Sequence, residues 1–292
     1  MKKIFLLSAI ILACINAAMA GDGNVIVSAQ WVKDNMNDRS LVILQVNFLK
    51  LDYDKEHIAG ARFLWPAWLA ADSPEGSFNP PDAKAATKVL RELGINKDSK
   101  IVLCHTKADV SVTARMFATL EYLGLQGKVY FLNGGLEAWK KAGFAVTNEA
   151  PAIKKGNYTA SINPVLVDKN YVLASLQSSS SVVVDARMKK FYDGDPTGNP
   201  RDGHITGAKN IPYTDLIDST NTIKPQEVLQ NYFQPAAPDK EKEIVSYCFI
   251  GQTASVVYLA GRQLGYKIKI YDGSMQEWSR IESLPMEKTK KE

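Results

Sequence analysis

Ile244-Val245-Ser246-Tyr247-Cys248-Phe249-Ile250-Gly251-Gln252-Thr253 reads as a short buried strand that ends on a cysteine, turns through a glycine-containing loop and enters a helix. β-Branched and aromatic residues suit the strand, and Gly251 supplies the freedom the turn needs. The apolar spacing from Thr253 to Leu264 predicts an amphipathic helix. A second stretch, Ile101-Val102-Leu103-Cys104-His105, has the same character and precedes a predicted helix over Val112 to Leu123. One unit therefore occurs twice, with His105 where the later copy has Cys248.

The repetition extends outward on both sides and keeps its order. Trp31-Val32 with Leu41-Val42-Ile43-Leu44 matches Tyr171-Val172 with Ser181-Val182-Val183-Val184, at an offset of 140 residues. His57-Ile58-Ala59-Gly60-Ala61 returns as His204-Ile205-Thr206-Gly207-Ala208. Val129 to Gly135, followed by Trp139, returns as Ile268 to Ser274, followed by Trp278. Short β-branched runs alternate with amphipathic stretches, such as Ala85 to Leu93, so each half is expected to be an α/β domain: a mainly parallel central sheet with helices on both faces. The expected boundaries are 24–147 and 164–286, with a linker over 148–163 that contains Pro151 and Gly156, and a solvated tail over 287–292. Each half then has about 120 to 130 residues, enough for its own core.

Lys2 and Lys3 before the apolar run Ile4 to Ala18, with Ala18-Met19-Ala20 before Gly21, read as a signal peptide over 1–20 that is cleaved on export to the periplasm or beyond. The run is shorter than the ~20 residues of a spanning helix, which disfavours a retained anchor. Lipid attachment at Cys14 is a rival. Cleavage removes two lysines from a chain of net charge +4 and no acid, leaving +2, too weak a bias to imply nucleic acid binding. Small molecules or other proteins are the expected partners, with no membrane partner once the leader is gone. Without Cys14, only Cys104 and Cys248 remain, which is no disulfide framework. Their places at strand ends in different domains argue against a bridge between them.

A cysteine delivered to the carboxyl edge of a parallel sheet stands where ligands bind in open α/β folds. The backbone N–H groups of the loop after Cys248 can curl into an anion-binding nest beside the following helix, and such a setting lowers a thiol pKa. Phe249 and Ile250 are expected to shield the sulfur. A buried inert cysteine is the competing reading.

Val184-Asp185-Ala186-Arg187, Gly203-His204-Ile205-Thr206-Gly207-Ala208, Tyr247-Cys248 with Gly251, and Tyr271-Asp272-Gly273-Ser274 with Glu277-Trp278 together resemble the signatures of rhodanese-type sulfurtransferases in tandem two-domain form, the thiosulfate and 3-mercaptopyruvate sulfurtransferase family. The resemblance covers nearly all of the chain after the leader. It implies two tandem rhodanese-like domains, the first catalytically silent, because His105 replaces the cysteine and Gln45-Val46-Asn47 replaces Asp185-Ala186-Arg187. It also implies that Cys248 takes sulfane sulfur from a donor such as thiosulfate and passes it from a persulfide to cyanide or a thiol, including a protein thiol. The substrate-binding residues would be Phe249, Ile250, Gly251, Gln252, Thr253 and Arg187, with no metal or organic cofactor.

Members acting on thiosulfate often carry basic residues where this chain has Ile250 and Phe191, and mercaptopyruvate-using members tend to have serine at the position of Ile250. The pocket is therefore expected to be more apolar than either, and mercaptopyruvate or glutathione persulfide remain alternative donors. A persulfide carrier without steady turnover is another alternative. A dual-specificity phosphatase is disfavoured, because Ala254 stands where its loop needs a phosphate-clamping arginine. Arg187 is also readable as a structural partner of a carboxylate or carbonyl, Lys189 and Lys190 as a solvated face, and Arg201 is left open. His57 and His204 precede Gly-Ala turns and suit hydrogen-bonding roles. The three histidines have no metal-ligand spacing. Trp139 and Trp278 are expected to pack on their own sheets, and Cys104, the counterpart of Tyr247, to lie in the core. The loop Thr106 to Val112 is a candidate lining of the donor pocket.

Overall fold

The computed structural model describes residues 24–73, 76–106 and 110–289. The predicted leader and Cys14 lie outside them. Two five-stranded sheets follow one another along the chain. The first uses β1 (Ile26–Val27), β2 (Leu41–Val46), β3 (Arg62–Leu64), β4 (Lys100–His105) and β5 (Val129–Leu132), in the order β1-β5-β4-β2-β3. The second uses β6 (Leu166–Val167), β7 (Ser181–Asp185), β8 (Lys209–Asn210), β9 (Glu243–Tyr247) and β10 (Ile268–Tyr271), in the matching order β6-β10-β9-β7-β8. All pairings within the two sheets are parallel. Ile101 lies opposite Val42 and Val129, and Ile244 lies opposite Val182 and Ile268. The register thus aligns Cys104 with Tyr247 and His105 with Cys248.

Local chemistry explains the recurrence. The side chains of Ser28 and Asp168 accept from the N–H groups of Trp31 and Tyr171, capping the helices Ala29–Asn35 and Lys169–Leu176, which secures each start by ~1 kcal/mol. His57 stacks on Tyr53 at 4.0 Å and His204 on Tyr192 at 3.7 Å. Each ring also hydrogen-bonds the carbonyl of its stacking partner, so both histidines fasten a loop to its sheet. Trp139 and Trp278 are buried on the outer faces of their own sheets and donate to Ala145 and Pro285 carbonyls.

The inner faces share one continuous core. At its centre the helices Val110–Leu120 and Ala254–Gln263 pack side by side, pointing the same way. Ser111 meets Gln252 at one end, and Glu121, in the turn Glu121–Leu125 that continues the first helix, meets Arg262 at the other. Every residue of Val110–Leu120 is buried, as expected of a helix enclosed on all sides.

Two expectations change. The segment 148–163 has no regular structure but is pinned to the first domain: Gly156 and Tyr158 donate backbone N–H bonds to the Arg91 and Ile95 carbonyls, and the Tyr158 hydroxyl donates to Leu123. Glu287, the first residue of the expected solvated tail, is exposed yet pairs with His204 in a two-stranded ribbon, Met286–Glu287 against His204–Ile205, and its carboxylate accepts from the Gly207 N–H. No helix among the described residues is long and apolar enough to cross a membrane.

Candidate active site

Cys248 follows β9 directly and is 1% exposed. Its backbone N–H donates to the Ser274 hydroxyl at 3.1 Å, and that hydroxyl donates to the Tyr271 carbonyl at 2.8 Å. Ser274 has a φ of 49°, a left-handed conformation that costs a non-glycine residue free energy. The Cys248 and Phe249 carbonyls accept from Met275 and Gln276. The strain at Ser274 thus accompanies a double anchorage of the cysteine to the turn after β10. Gly251 has a φ of 77°, and the Ser255 hydroxyl donates to its carbonyl. Among the described residues, the backbone N–H groups of Phe249 through Thr253 have no acceptor in the protein. The loop therefore presents free donors next to the sulfur.

The first domain reaches into this loop. Ser111 Oγ accepts from Gln252 Nε2 at 2.7 Å. Arg115, fully buried, pairs with Asp272 at 2.6 Å, donates to the Phe78 carbonyl at 2.5 Å and lies 3.5 Å from the Gly251 carbonyl. Phe78 itself has a φ of 59° and donates its N–H to Asp72. One cation of the first domain thus reaches three acceptors, Asp272, the Phe78 carbonyl and the Gly251 carbonyl of the Cys248 loop. A buried charge held this way is costly to strip of its partner, by roughly 3–5 kcal/mol.

Arg187 is also buried. Its guanidinium donates to both oxygens of Asp185 and to the Gly203 carbonyl, as the structural reading expects. Its plane lies 5.1 Å from the Phe249 ring centre. Burial works against its charge, but the bonds and charge of Asp185 outweigh that cost, helped by Tyr247 and Cys248, and the pKa lies above the usual arginine value. Nη1 is buried without a hydrogen-bond partner. The arginine is therefore both fastened and incompletely satisfied, within electrostatic reach of the thiol.

Phe249 packs edge-on against Phe191 at 5.3 Å. Ile250 and Thr253 are half-buried at the loop, and Ala254 is buried beneath it. The remaining cations have partners of their own. Lys189 pairs with Asp193, Lys190 lies over Phe191, and Arg201 donates to the carbonyls of Trp278, Ser279, Ile281 and Leu284, closing the end of a helix. Cys104 and Cys248 are free thiols, and burial pushes the Cys104 pKa far up. His105 is buried, with Nδ1 against the Thr106 carbonyl. Of the loop Thr106 to Val112, residues 107–109 lie outside the described residues, and Ser111 is the part seen at the active loop. No cluster of potential metal ligands occurs among the described residues.

Sequence reasoning did not single out Arg115 or Phe78; it held Ser274 only within a quoted signature and Ser111 only within the loop Thr106 to Val112, without a role for either. Arg115 had a signal available: it is the one charged residue in the helix Val110–Leu120, and a lone charge inside an enclosed helix needs a partner from elsewhere.

A parallel sheet that occurs twice, with a cysteine-headed loop at one strand end of the second copy, defines a tandem α/β chain. The rhodanese-like domain matches residues 28–142 and 168–281, and the chain belongs to that family. It is 30% identical over 285 residues to the sulfur carrier protein TtuD of Thermus thermophilus, a match covering 90% of this chain and 96% of that protein. It is also 30% identical over 281 residues to a putative thiosulfate sulfurtransferase of Mycobacterium leprae, covering 90% and 98%. The crystal structure of SseA from Escherichia coli, a 3-mercaptopyruvate sulfurtransferase, superimposes with a TM-score of 0.73 at 27% identity, covering 86% of this chain and 98% of that one.

Proposed function

We propose that the chain is a sulfurtransferase that moves sulfane sulfur from a donor such as thiosulfate to cyanide or a thiol through a persulfide on Cys248. The supporting observation is the junction itself: a buried cysteine at the sheet edge, its own N–H occupied by Ser274 and the following five N–H groups without an acceptor among the described residues. Thiolate Sγ attacks the outer sulfur of the donor. The new Sγ–S bond forms as the S–S bond of thiosulfate breaks, and the electron pair leaves with sulfite. The acceptor then attacks the terminal sulfur, the Sγ–S bond breaks, and its electron pair restores the thiolate.

In this reading the loop N–H groups of Phe249, Ile250, Gly251, Gln252 and Thr253 hold negative charge on the donor and the persulfide, as an oxyanion hole does. Arg187 Nη1 adds a charged donor. The aromatic and aliphatic cover of Phe249, Phe191 and Ile250 keeps water and oxidants from the sulfur but gives a dianion little help on approach. The reading of residues 1–20 as a cleaved leader supports placing this activity in an exported chain.

Cys248→Ser abolishes turnover and Cys104→Ser retains it; turnover persisting in Cys248→Ser would falsify the proposal. The donors to compare are thiosulfate, mercaptopyruvate and glutathione persulfide. The burial of Cys248, with the likeness to a sulfur carrier, supports a second reading in which the persulfide passes to a partner protein thiol. That reading predicts a stoichiometric persulfide with negligible steady-state transfer to cyanide.

A further inference from the structure

On the first domain, away from Cys248, a groove of about 640 Å³ runs between the sheet edge and the segment that leads to the second domain. That volume lies within the ~300–1,000 Å³ of small-molecule sites. Tyr53, Phe63 and Trp68 form one wall: Phe63 lies 5.7 Å from Tyr53 and 5.6 Å from Trp68, the latter edge-on. Val89, Pro151 and Ile153 close the opposite side. Tyr53 is buried, its hydroxyl donating to the Ala61 carbonyl and its ring stacked on His57, so it backs the wall. Trp68 remains 40% exposed and Ile153 42%. Large apolar side chains left open in a preformed concavity mark a binding surface.

Charge at the rim selects the occupant. Lys50 and Lys88 line the groove, and its one acid, Glu92, is held by Lys155. Lys50 already has a partner in Asp54, but Lys88 acts on Glu92 only through its charge. An apolar trough with a spare cation at its lip suits a ligand with an aliphatic body and a single anionic head. We infer that the Tyr53–Phe63–Trp68 groove binds medium-chain fatty carboxylates or like amphiphilic anions, with the chain against the aromatic wall and the head at Lys88. The inference stands apart from the chemistry at Cys248, and occupation would clamp the connecting residues Pro151 and Ile153 to the first domain.

The test is isothermal titration calorimetry of the purified protein with octanoate, decanoate and dodecanoate below their micelle concentrations, and with 1-decanol. Saturable one-to-one binding is expected, tightening by about fifteenfold for each added pair of fully buried methylenes. Lys88→Glu should weaken decanoate by about fivefold and leave decanol unchanged. Ala85→Trp, an exposed helix position on the groove, should fill it and remove binding while leaving the thermal transition intact. Cys248→Ser should bind as the parent does. Absence of saturable binding, or equal affinity for decanol and decanoate with no effect of Lys88→Glu, overturns the inference. Dimerisation of the parent that Ala85→Trp abolishes, without carboxylate binding, assigns the groove to a second copy and also overturns it.

Discussion

At the residue scale, the decisive contrast is between Arg187 and its counterpart Asn47. Asn47 donates to the Thr106 hydroxyl, whereas Arg187 carries a fixed charge into the second domain, clamped by Asp185 and with Nη1 left over. Replacing it with methionine would strand the buried Asp185 and confuse folding with function. Arg187→Lys keeps the charge but loses the planar fork. If Nη1 receives the donor anion, the KM for thiosulfate rises by about tenfold or more, the scale of one charge-assisted hydrogen bond, while transfer from persulfidated enzyme to cyanide changes little. Unchanged KM in a folded Arg187→Lys variant would leave the arginine a purely structural clamp.

At the element scale, the loop after β9 depends on one glycine. A Cβ on Gly251 would lie 3.0 Å from both Arg115 Nη1 and the Asp272 carbonyl oxygen. Gly207 has nearly the same φ, 79°, yet a Cβ there meets nothing within 4 Å. Both substitutions by alanine therefore carry the left-handed penalty of roughly 1–2 kcal/mol, but only Gly251→Ala must also displace the cation that braces the loop. Gly207→Ala should lower the melting temperature with turnover intact; Gly251→Ala should lower both, with turnover down by about tenfold or more. Equal turnover in the two variants would show that the loop tolerates the shift.

The same comparison explains what the sequence disclosed. The sheets, the duplicated turns and the helix Ala254–Gln263, expected over Thr253 to Leu264, were legible because strand periodicity, Gly-Ala turns and aromatic positions repeat in linear order. Cys248 and its loop were legible as a strand end followed by a turn into a helix, and the loop Thr106 to Val112, which contains Ser111, as a candidate lining. The bracing by Arg115 and Phe78 was not legible, because it joins residues that are distant in the chain and pattern no short segment. The helix over Val112 to Leu123 was expected, but it starts at Val110 and its α-helical part ends at Leu120, where a wider turn through Gly124 takes over. Tertiary burial, not local periodicity, sets that boundary.

At the scale of the whole molecule, the two domains behave as one packed body. Gln263 accepts from the N–H groups of Val25 and Ile26, and Asn133 exchanges two hydrogen bonds with the backbone of Ile223. At the end of the paired helices farthest from Cys248, Glu121 is fully buried, accepting from the Tyr258 hydroxyl at 2.6 Å and pairing with Arg262 at 3.1 Å. Burial pushes its carboxyl above the ordinary range, opposed in part by Arg262 and Tyr258. The folded chain therefore keeps this proton at pH values where the unfolded chain has lost it. Its stability contribution is highest below the unfolded pKa and is lost as pH rises through the folded one. Glu121→Gln retains an acceptor for Tyr258 and removes the titration. Urea unfolding from about pH 5 to about pH 8 should show the parent losing stability relative to Glu121→Gln as pH rises, by on the order of 1 kcal/mol. Parallel stability profiles would mean that the Arg262 pairing cancels the cost of burial. A parent that gains on the variant with rising pH would mean that the pairing exceeds it and holds the domains together through charge.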